Sequence, residues 1–474
     1  MGNKTVRNDN MGLWDISIVR PNKEKPEVAA FKSFKISFYN NITITLNQLF
    51  MTMNLILLGH TTFNEKVNYD LIMTFQIGTF ILGLFGKAFT LGLMKYLFED
   101  KEENDLYKLY IRMKTILIFL IPIFFIPISL LSYFLLEIIL KYGLEIYAEN
   151  MIREVYLKFL IFAPVIYFFE ILFFLNIKFL NSLKCYKTVF FYVFFYIISH
   201  ITLCWILLYI LEIGLIGLTI SYGCNSFLFY FFTCRSIKKF GNYTEQNLYF
   251  YLIPYKENFD GEVFNTFKKN SIISLINFGD IITFLFLFIA SLFISKSQLI
   301  LNIIYINFYE LVCAINKGFY FNLKNYITET IEDSENKQKY VASYVFYYMI
   351  MEISIFLILL IFKNILLDIY LLDITKDLLK IASGVIRIFF PISLLISSIR
   401  MILNGIVRGM SVALHVKKKA TYVIAYLFLC WFLCFHWKLY ISGLWISLLI
   451  FDSLLLVESI HKAYVILPRF FHNI

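Results

Sequence analysis

Apolar stretches long enough to cross a bilayer alternate with short polar segments along nearly the whole chain. The pattern predicts about twelve membrane-spanning helices. The first six cover residues 34–59, 70–98, 111–141, 155–182, 189–211 and 215–234. The second six cover 271–295, 299–328, 341–369, 378–408, 420–437 and 441–463. Pro122 and Pro127 are expected to kink the third. The longest interior polar segment, 235–269, divides the two sets.

The two sets repeat one another. Pro164 opens a segment that ends Gly214-Leu-Ile-Gly217-Leu-Thr-Ile-Ser221. Pro391 opens one that ends Ser442-Gly443-Leu-Trp-Ile-Ser447. Both closures read Gly-Leu-x-Ile-Ser, and they lie about 226 residues apart. The expected fold is therefore all-α and integral to a membrane, with two pseudo-twofold-related six-helix bundles. Its parts are a tail at 1–35, an N-lobe at 36–236, a connector at 237–267, a C-lobe at 268–466 and a tail at 467–474. Six spans per half preserve orientation, which relates the lobes by an axis along the membrane normal and leaves a cleft between them.

Composition agrees with this pattern. Of 474 residues, 59% are hydrophobic and 16% charged, whereas soluble chains run near 25% charged. The net charge of +10 does not point to nucleic acid, because Lys and Arg sit between apolar runs rather than on one face. Instead it sets orientation. One set of short loops carries Arg112 and Lys114; Lys178, Lys184 and Lys187; Arg235, Lys238 and Lys239; Lys417, Lys418 and Lys419. The alternate loops are poorer in base, which predicts that both termini are cytoplasmic, most simply at the plasma membrane. The seven cysteines show no metal-ligand spacing and read as small buried hydrophobes.

Intramembrane polar residues mark candidate chemistry. Asp280, in Asn277-Phe-Gly-Asp280, and Glu310 are the candidate ion-coupling groups. The structural alternative is an acid hydrogen-bonded to a neighbouring helix. Span one is unusually polar, and Asn47 and Gln48, with Asn277, are candidates for lining a cavity. Tyr305 and Tyr309 could hold an organic cation by cation–π contact, although aromatic stripes more often pack helices. Glu170, Glu352 and His200 read as packing residues. Beyond Lys87 the spans read as poor in cations. Scattered histidines, unpaired carboxylates and the lack of a nucleotide-binding loop speak against an enzyme.

Several motifs resemble those of the multidrug and toxic compound extrusion (MATE) transporters. Lys178-Phe-Leu-Asn-Ser-Leu-Lys184 is similar to the end of that family's fourth span. Leu403-Asn-Gly-Ile-Val-Arg408-Gly409 is similar to its Gly-x-x-Arg-Gly, and Gly214-Leu-Ile-Gly217 and Ser442-Gly443-Leu-Trp445 to its turns. The family's Gly-Gln after span two has no clear match at Gly86-Lys87, and its paired glutamates in span seven are reduced to Asp280. The resemblance implies a secondary antiporter that exports cationic or amphipathic organic solutes against H+ or Na+. It would work as a monomer in the lipid bilayer, without metal, cofactor or nucleic acid. The alternative within the same superfamily is a flippase for lipids or lipid-linked oligosaccharides.

Overall fold

In the computed structural model, residues 25–63, 66–67, 103–142, 149–183, 185–240, 286–329, 334–362, 364–372, 374, 376–382, 385–409 and 416–471 are described, with a few isolated positions in 72–79 and 265–284. Asp280, Asn277 and Lys87 lie outside the described residues, as do almost all of spans two and seven.

Twelve α-helices are delimited among the described residues: α1 (Pro26–Gly59), α2 (Glu103–Tyr142), α3 (Glu149–Ser182), α4 (Tyr186–Trp205), α5 (Leu215–Phe240), α6 (Lys296–Glu329), α7 (Ser334–Ile361), α8 (Ile365–Tyr370), α9 (Lys376–Ala382), α10 (Val385–Gly409), α11 (Val416–Trp431) and α12 (Tyr440–Phe471). A two-residue antiparallel ladder, β1 (Thr62–Phe63) with β2 (Lys66–Val67), follows α1. Helices are the natural solution for such apolar sequence, because each satisfies its own backbone hydrogen bonds without water. Seven of the described helices contain a stretch long and apolar enough to cross a membrane.

The structure refines the spans read from the sequence. Span nine is two helices, α7 and the short α8, with polar Asn364 preceding α8 and Asp368 in its first turn. Span ten is described as α9 and α10. The helices continue through Pro122, Pro127, Pro164 and Pro391. Lys114, assigned above to a loop, is buried within α2, its ammonium 5.8 Å from the Tyr110 ring centre and 5.4 Å from that of Tyr230. Those rings and the Cys234 sulfur offset the cost of burying the charge.

Burial separates central helices from peripheral ones. In the apolar stretches of α3 and α6, 72% of residues are buried, against 28% along α4 and 22% along α7. The outward faces of α4 and α7 present Phe191, Phe195, Phe346, Ile350 and Leu357, the surface that hydrocarbon covers in a bilayer.

The duplication is visible in the backbone. α4 ends in a π-helical turn, Ile206–Ile210, and α11 in another, Phe432–His436. The next residues repeat as well: Leu211 N–H donates to Ile206 C=O at 3.0 Å, and Trp437 N–H to Phe432 C=O at 3.0 Å. Cys204 faces Ser221 in the first half as Cys430 faces Ser447 in the second.

Candidate functional site

α1 meets both halves of the molecule. On one side Phe50 packs against His200 of α4 with centroids 4.0 Å apart and the rings tilted by 34°, and Asn54 Oδ1 lies 2.6 Å from His200 Nε2. The Ser221 hydroxyl lies 3.1 Å from the other ring nitrogen, so His200 is a buried, doubly bonded packing residue, as read from sequence. On the other side α1 runs along α6.

The contact between α1 and α6 is polar at its centre. The Gln48 side chain hydrogen-bonds Glu310 and also donates to Asn307 C=O at 3.4 Å. Thr52 donates to Asn307 Oδ1 at 2.8 Å, and Tyr370 of α8 donates to the same oxygen at 2.6 Å. One amide oxygen therefore receives both of the donors it can hold, and it joins three helices. Gln48 and Glu310 are partly exposed, whereas Asn307 and Thr52 are buried. Asn47 lies in the same helix one residue earlier; the structure does not describe its side chain.

Beyond this node the end of α1 is fastened down. Leu372 N–H donates to Gly59 C=O at 3.1 Å, and His60 Nε2 lies 2.9 Å from Ile369 C=O. From α4's π-helical turn, Tyr209 donates to Leu57 C=O at 2.9 Å. The backbone of Tyr370 passes so close to Gly59 that any Cβ there would overlap the Tyr370 carbonyl. Only glycine permits that approach.

Tyr305 and Tyr309 take a different place from the one predicted. Both are buried and turned toward α10 and α12, not toward Gln48 and Glu310. Tyr305 packs on Phe390 at 4.6 Å, and Tyr309 lies 6.1 Å from Trp445. In this structure both serve as packing residues. Helical spacing explains the difference, since residues one or five apart from Glu310 project about 100° or 140° away from it.

Tyr309 has a partner that the sequence reading missed. Its hydroxyl donates to Asp452 Oδ2, while Arg400 of α10 pairs with Asp452 Oδ1 at 3.2 Å. Each carboxylate oxygen thus has its own donor, and the charge is balanced inside the helix bundle. An acid in α12 and a base in α10, each alone in an apolar run, were the available signal. Close by, Cys313 lies 3.6 Å from Ser397, and Asn316 donates to Ser398 Oγ at 2.7 Å. Glu352, buried on α7, faces Asn316 and Ser398, consistent with a structural role.

The reading of the spans as poor in cations also changes. Lys317 of α6, Arg387 and Arg400 of α10 all lie within spanning helices. Arg387 donates to Asn364 Oδ1 at 2.7 Å, and Arg400 is held by Asp452. Lys317 is exposed. Among the described residues no group of three metal-ligating side chains occurs.

No protein-family model matches the chain, and no curated protein matches it by sequence. Solved structures do resemble it. The eukaryotic MATE transporter AtDTX14 is 13% identical, with 94% of this chain and 100% of that one covered at a TM-score of 0.65. An inward-facing multidrug resistance MATE transporter of the MOP superfamily is 10% identical, covering 92% and 95% at 0.62. An outward-facing one is 12% identical, covering 95% and 98%, also at 0.62. At these identities the likeness concerns the fold, and over almost its entire length the chain has the fold of the MATE transporters.

Proposed function

We propose that this protein is a multi-pass membrane transporter that exchanges an organic solute for H+ or Na+ by alternating access. The observation that carries this reading is the Gln48–Glu310 contact. A partly exposed carboxylate sits deep in a spanning helix, at the meeting of α1 with α6, in a chain with the fold of MATE transporters. A carboxylate at that depth can exchange one cation for another, because each occupant neutralises the same charge. Asp280 is proposed to act with it. The distribution of basic residues supports a cytoplasmic location for both termini.

Asp452 is not the exchangeable group in this reading. A guanidinium and a phenol already saturate it. A second reading, flipping of lipid-linked oligosaccharides, would need several cations free to bind pyrophosphate. Arg387 and Arg400 are engaged, which leaves Lys317 as the one exposed base among these three and favours the antiporter.

The test is flux of a fluorescent organic cation into proteoliposomes under imposed proton or sodium gradients. Wild type should accumulate the dye under one gradient. Glu310→Gln, nearly isosteric, should assemble normally and lose gradient-driven accumulation. Accumulation by Glu310→Gln at the wild-type rate would remove Glu310 from the coupling machinery.

A further inference from the structure

α6 has three distinct faces. Tyr305, Tyr309, Cys313, Asn316 and Tyr320 face α10 and α12. Phe319, Leu323 and Ile327 pack into a second cluster with α7, which Phe34 of α1 joins. The third face carries Glu310 and, seven residues on, Lys317. Seven residues make almost two full turns, so the two side chains project within about 20° of one another, some 10 Å apart along the axis.

Lys317 is exposed and lies within the apolar stretch Ser297–Thr328. Among the described residues no carboxylate lies within ion-pair distance of it. Its helical face is the one that carries Glu310, so an exposed ammonium and a partly exposed carboxylate share one side of α6.

We infer that Lys317 is a specificity-determining residue that receives an anionic group of the transported solute, so that the cleft prefers amphoteric solutes to simple cations. The solute's cationic group faces Glu310 and Gln48, and its carboxylate or similar anion faces Lys317. The pair of charges then matches a molecule with opposite charges on a rigid frame. This rests on the reading of the Glu310 face as the transport cleft.

Rhodamine B and its ethyl ester test the inference, because they share one cationic scaffold and differ in a free carboxylate. Binding of each to the purified full chain is measured by fluorescence anisotropy. Wild type should bind the acid about tenfold more tightly than the ester, the effect of one charged hydrogen bond. Lys317→Gln should bring the ratio near one, Lys317→Glu should invert it, and Lys317→Arg should keep it. Equal binding of the two dyes by wild type, or an unchanged ratio in Lys317→Gln, would overturn the inference while leaving the transporter reading intact. Binding of neither dye to wild type would count against both.

Discussion

Glu212 and Lys438, 226 residues apart and opposite in charge, share one left-handed backbone conformation, with φ of 50° and 55°. Two residues further on, Gly214 and Tyr440 repeat the match at 67° and 50°. Each turn follows a π-helical segment and is closed by an equivalent bond, Ile213 N–H to Leu207 C=O at 3.0 Å and Leu439 N–H to Leu433 C=O at 3.1 Å. Side chains disfavour this conformation, and in both copies the backbone hydrogen bonds that close the helix end hold it.

Relieving that turn should stabilise the protein. Lys438→Gly removes the steric cost of the left-handed conformation, about 1 kcal/mol. The thermal midpoint of the detergent-solubilised protein should rise. Gly443→Ala should lower it, because a Cβ there would come within 2.9 Å of backbone atoms of Leu433 and Cys434.

The Arg400–Asp452 pair should behave as a buried ion pair. Asp452→Leu alone strands a guanidinium and should cost about 3–5 kcal/mol, whereas Arg400→Met combined with Asp452→Leu should recover most of that loss. Thermal unfolding of the single and double variants measures the difference. Equal destabilisation by both would show that the pair has no such coupling.

The fastening at the end of α1 should have to open during transport. Cysteines introduced as His60→Cys with Ile369→Cys, oxidised to a disulfide, should stop solute flux in proteoliposomes, and reduction should restore it. Unchanged flux in the cross-linked protein would show that α1 and α8 remain together throughout the cycle.

Gly59→Ala probes the same contact without a cross-link. The added methyl group forces the Tyr370 backbone away. Spin labels at positions 60 and 369 should therefore report a longer and broader distance distribution than in the otherwise wild-type protein. An unchanged distribution would show that the approach does not depend on glycine.

The sequence by itself determined the membrane character, the helical fold and the duplication. A run of apolar residues can be stable in a bilayer only as a structure that satisfies its own backbone, and identical Gly-Leu-x-Ile-Ser closures mark equivalent turns. It also pointed to Glu310 and Gln48, because polar groups in hydrocarbon are costly enough to stand out. Only the tertiary structure decided their partners. Periodicity along one helix cannot say which neighbour each face meets, so Tyr309 read as a cavity residue until Asp452, 143 residues away, was seen to take its hydroxyl. The same reason hid the burial of Lys114 between two tyrosine rings and the convergence of Thr52 and Tyr370 on Asn307. The left-handed turns at Glu212 and Lys438 were likewise invisible, since neither residue prefers them and the backbone hydrogen bonds that close the two helix ends are not written in any residue type.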